Sequence, residues 1–95
     1  MLFHITHVHT EATCPFEKPE IVADTFSKVL PGFEAAGATV VGAYTDPPAH
    51  AMYFVVEAAD YGQLRGGLEP VIPVGTAEIR PVVDFKALVA ERAKK

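Results

Sequence analysis

The chain has a single cysteine, Cys14, so it cannot close an internal disulfide. It also lacks a basic stripe. Eight lysines and arginines are spread against twelve acids, for a formal net charge of −4. Without clustered cations and interleaved aromatics, nucleic acid is not an expected partner. No apolar run approaches membrane-spanning length, so no membrane partner is expected either. The opening Met-Leu-Phe-His has no basic n-region and no long apolar core, and does not read as a signal peptide. A cytoplasmic protein is the simplest expectation. There is no internal repeat and no low-complexity segment. Gly66-Gly67 is not a phosphate loop, because it falls late in a helical pattern and lacks the lysine and hydroxyl residue such a loop needs.

What is present fits one domain spanning all 95 residues, with 49% hydrophobic and 21% charged residues. A chain this short buries a modest share of its surface, and oligomerisation would compensate for that.

Residues 2–9 read as a first strand, followed by a polar loop, 10–18, interrupted by Pro15. Pro19 and Glu20 open a helix, since proline suits a first turn and an acid suits the positive helix end. Val22, Phe26, Val29, Leu30 and Phe33 then recur at helical spacing. Pro31 falls inside that pattern, so the helix either bends there or ends near Leu30 and restarts. Gly37 suits the C-terminal end. A second strand covers 38–45, a turn Asp46-Pro47-Pro48-Ala49, and a third strand 50–57. In that third strand Met52, Phe54 and Val56 share one face. Asp60 and Gln63 form a capping-box pattern for a helix with Leu64 and Leu68 as its apolar face, finished by Pro70 and Pro73. A fourth strand, 76–83, and a helix, 84–93, with Phe85, Leu88 and Val89 on one face complete the chain. The last five residues read as a solvated, fraying end.

The order is βαββαβ plus a C-terminal helix. This α+β, ferredoxin-like motif carries its helices on one face of a four-stranded antiparallel sheet. The other face would hold Tyr53, Val55 and Val82, with Leu2, Val8, Val40 and Tyr44 as further candidates. It is too apolar to be left in water, so a partner is expected to cover it.

The chain resembles the dimeric α/β-barrel superfamily, in its topology and in one segment. There, Leu64-X3-Leu68-X-Pro-Val-Ile-Pro-Val-Gly leads into Ala77-Glu-Ile-Arg-Pro-Val-Val. It is similar to the end of small domains of that superfamily. The resemblance implies a homodimer through the open sheet face and a pocket for a small organic molecule. Its members include muconolactone isomerases, cofactor-independent monooxygenases and haem proteins of the chlorite dismutase type. It transfers no catalytic residue.

The first fourteen residues hold three of the four histidines and the only cysteine. On a strand, His7 and His9 point the same way, roughly 6–7 Å apart at their bases. They could converge on one metal ion, with Cys14 as third ligand and Glu11 as fourth. Imidazole and thiolate suit zinc, copper, iron or nickel. His50, at the start of the third strand, reads as an exposed turn residue or a distant ligand. His4 points to the opposite face. Beside Tyr44, Tyr53 and Arg80 it is a candidate general base in a cofactor-free isomerase or oxygenase-like site, with Arg80 and Glu78 as an ion pair or an anion clamp. A bulge in the first strand would instead bring His4 and His7 together. Three readings therefore stand: a small-molecule-binding homodimer, a metal-binding protein, and a structural or regulatory dimer without chemistry.

Overall fold

A computed structural model describes residues 1–14 and 18–94. Expectations at Pro15 and Lys95 lie outside the described residues. Four strands, β1 (Leu2–Val8), β2 (Thr39–Asp46), β3 (Ala51–Glu57) and β4 (Thr76–Val82), form one antiparallel sheet. Its order is β2-β3-β1-β4, and with the helices this gives the ferredoxin-like βαββαβ arrangement. The helices are α1 (Pro19–Asp24), α2 (Val29–Ala35), α3 (Tyr61–Leu68) and α4 (Phe85–Arg92). No helix among the described residues is long and apolar enough to cross a membrane.

The first helical region breaks earlier than Pro31. Thr25 leaves helical geometry at φ −120°, ψ −85°, and its Oγ1 donates back to the Ile21 carbonyl at 2.7 Å. Such a bond back to the preceding turn bends or interrupts helices. A short 3-10 turn, Phe26–Lys28, then leads into α2. Pro31 becomes the third residue of α2, where its missing N–H has no intrahelical partner to lose.

The core lies between the helices and one face of the sheet. Ile5, Phe54 and Val56 from the sheet meet Val29, Phe33, Leu64, Leu68 and Val71. Glycines let α2 and α3 approach closely. A Cβ at Gly67 would collide with the Phe33 ring, and one at Gly66 would meet the Ala36 Cβ at 2.5 Å. Gly66-Gly67, costly to a helix by propensity, is thus required by packing.

Val40 differs from its expected side. The ladder between β2 and β3 shifts register between Val40 and Gly42, leaving Val41 as an extra residue. Val40 therefore packs against the core, while Tyr44 pairs with Tyr53 on the open face. In contrast, β1 pairs regularly with both neighbours, so His4 and His7 stay on opposite faces. Asp84 caps α4 by accepting from the Ala87 amide at 3.0 Å. The apolar residues of α4 find no cover: none of the helix is buried, and Phe85 is 77% exposed.

Candidate metal centre

Beyond Val8 the chain keeps its strand pairing for one more residue. The His9 amide donates to the His50 carbonyl at 3.0 Å. This places two histidines far apart in sequence side by side, with ring centres 5.3 Å apart. His50 is held in an unusual conformation. The Asp46 carboxylate accepts from the Ala49 amide, Pro47 and Pro48 fix the turn, and His50 follows at φ 51°, ψ 41°. It is the one non-glycine residue with positive φ among the described residues. That conformation costs about 1–3 kcal/mol and persists where the surroundings impose it.

On the other side of His9, the chain turns back. Thr10 and Thr13 close a small turn, with the Thr10 amide donating to Thr13 Oγ1 at 3.0 Å and the Thr13 amide donating to the Thr10 carbonyl at 3.1 Å. Cys14, half-buried, follows directly. The result is a group of three: one ligand atom each from His9, Cys14 and His50, all within 4.8 Å of one another. Phe26 walls the group, its ring 5.4 Å from that of His9.

The electrostatics fit a ligand role. His9 is 4% exposed, yet among the described residues neither of its ring nitrogens has a hydrogen-bond partner. Burial pushes its pKa below the ordinary histidine value, and like-charge repulsion from His7 and His50 pushes the same way. A neutral imidazole offers the lone pair that a metal takes. A buried polar group without a partner is costly, and an ion would satisfy one of the two nitrogens.

Of the expected ligands, His9 and Cys14 come together, and His50 joins them in place of His7. His7 does share the helix-facing side with His9, but its Nε2 donates to the Val71 carbonyl at 2.9 Å. Glu11 is exposed and is not in the group. The signal for His50 lay in the hairpin: a four-residue turn between β2 and β3 places its last residue next to the end of β1 only once β1 is known to be central.

The other candidate set shares the open face. His4 pairs with Arg80, Tyr44 with Tyr53, and the His4 and Tyr53 rings lie 6.1 Å apart. Arg80 Nη2 donates to Glu78 Oε2 at 2.6 Å, the ion pair rather than a free clamp. Tyr44 is 67% exposed. On the helix side, a cavity of about 370 Å3 opens between α3 and β4, lined by His7, Tyr61, Arg65, Leu68 and Ile79 among others.

The whole chain, residues 1–95, matches one family, described as a domain of unknown function, DUF3303. The chain belongs to that family. No curated protein matches it. DUF3303 membership leaves the chemistry to be argued from the residues themselves.

Proposed function

We propose that this DUF3303 domain binds a thiophilic transition metal ion, zinc or copper, through His9, Cys14 and His50. The observation that carries the reading is the buried His9 ring, its two nitrogens without partners among the described residues, beside a thiol and a second imidazole. Two nitrogens and one sulfur form a donor set suited to zinc and copper and poorly suited to magnesium or calcium. Three protein ligands leave a further coordination position for water or an external ligand. The test is metal content of the tag-free protein, followed by titration with cobalt(II). A thiolate-to-cobalt charge-transfer band that appears in the wild type and is missing in Cys14→Ser supports the reading. Less than about a tenth of an equivalent of zinc or copper bound at saturating metal would overturn it.

A second reading has its own support, the open sheet face together with the exposed apolar side of α4. We infer that two copies pair through this face, as in the dimeric α/β-barrel superfamily. His4, Tyr44, Tyr53 and Arg80 then lie at the interface, and a small organic ligand would be enclosed only in the pair. Sedimentation equilibrium tests the pairing: a monomer at micromolar concentration rules it out.

A further inference from the structure

We infer that His7 is the positioning residue for the metal ligand His9, accepting a hydrogen bond from its non-coordinating ring nitrogen. The inference rests on the metal reading above.

The position of His7 is a built one. Its side chain is 1% exposed. Its Nε2 lies 2.9 Å from the Val71 carbonyl, which can only accept, so Nε2 carries the proton. The neighbouring chain is shaped around the ring: a Cβ on Gly75 would stand 2.5 Å from His7 Cε1 and 2.7 Å from Nε2. With Nε2 protonated, Nδ1 of the neutral ring is a lone pair. It is buried and has no donor among the described residues.

Three buried side-chain atoms lack partners among the described residues: His7 Nδ1 and both ring nitrogens of His9. A neutral His9 has one lone pair and one N–H. A metal takes the lone pair. The N–H then needs an acceptor, and His7 Nδ1 is an acceptor in need of a donor. The two rings are neighbours, with centres 5.9 Å apart and planes inclined by 37°. The bond is not formed in the metal-free chain and requires the His9 ring to move toward His7 on loading. One ion and one hydrogen bond thereby satisfy all three atoms. The outcome is a line from the Val71 carbonyl through His7 and His9 to the metal, which fixes the His9 tautomer and raises its basicity as a ligand.

The test uses the full chain labelled with 15N at histidine and titrated with zinc alone. Loading is expected to leave His7 Nδ1 unprotonated and to produce a hydrogen-bond scalar coupling between the His9 N–H and His7 Nδ1. A loaded protein with no coupling and no change at His7 overturns the inference while leaving the metal reading intact. A wild-type chain that takes up no zinc overturns both. Variants give an independent readout. His7→Phe fills the space without an acceptor and is expected to weaken zinc binding about 10- to 100-fold. His7→Gln, whose amide can both accept and donate, is expected to stay within about threefold of wild type. Equal affinities in the two variants would show that His7 only fills space. If His7→Phe does not fold, the spectrum of the wild type decides alone.

Discussion

The amide of His9 is hydrogen-bonded to the carbonyl of His50, and their imidazole rings meet edge to face at 5.3 Å. The backbone bond extends the β1–β3 ladder past its last regular pair, Val8 with Ala51. Two histidines are therefore held by sheet pairing itself, not by a mobile loop. This gives the candidate metal centre a rigid side and leaves Cys14 to complete it.

The left-handed backbone of His50 separates stability from binding. Asparagine tolerates that conformation better than most residues. His50→Asn is expected to leave the unfolding free energy of the metal-free protein within about 1 kcal/mol of wild type while removing zinc binding. Chemical denaturation and a zinc titration on the same preparation check both halves.

Gly75→Ala is expected to destabilise the fold by about 1–3 kcal/mol. The new methyl would meet the Val8 carbonyl as well as the His7 ring, and the carbonyl belongs to a paired strand that cannot retreat. Urea unfolding measures the loss, and a wild-type midpoint in the variant would contradict the packing described.

Stability of the metal-free chain is expected to fall in mild acid. Burial holds His7 and His9 below the usual histidine value of 6.5. For His7 the bond to Val71 opposes this shift without cancelling it. For His9, the nearby His7 and His50 add to it. The cavity beside His7 also carries Tyr61 and Arg65, and Arg65 is paired with Glu69. The unfolded chain thus binds more protons once the pH drops below the unfolded value. Stability contributed by the neutral rings is complete above about pH 6.5 and is lost as the pH falls toward the lower folded values. Unfolding midpoints measured between pH 8 and pH 5 should decline on the acid side, and His7→Gln should flatten the decline.

Placing a charge on the open face is expected to weaken pairing between copies. Val55 lies on that face beside His4, away from the core. Val55→Lys should shift sedimentation toward monomer without changing the zinc stoichiometry. Coupled loss of both would tie the metal site to the interface.

Much of the fold was legible in residue pattern. The alternation of Met52, Phe54 and Val56 set the buried face of β3, and Asp60 and Asp84 marked helix starts. Two features were not legible, because residue type alone does not decide either of them. The Val41 bulge reversed the side of Val40, and in Thr-Val-Val-Gly only Gly42, a residue often found at bulges, hints at an extra residue. The interruption at Thr25 depends on a hydroxyl turning back to its own helix, a choice open to any mid-helix threonine. At the candidate site, His9 and Cys14 could be picked out from their nearness in sequence. His50 required the strand order, and His7 was diverted by a carbonyl, that of Val71, whose position no spacing rule supplies.

The Val41 bulge has a bearing on how copies of this chain can meet. It lies on β2, one border of the sheet, and disrupts the regular row of outward amides and carbonyls there. The other border, β4, contains Pro81, which has no amide to offer, preceded in the strand by the charged Glu78 and Arg80. Neither border presents a clean template to an incoming strand. Growth of the sheet from molecule to molecule, the route to fibres, is blocked at both ends. On the proposed pairing of copies, contact is left to the broad face, where it would close after a single pair.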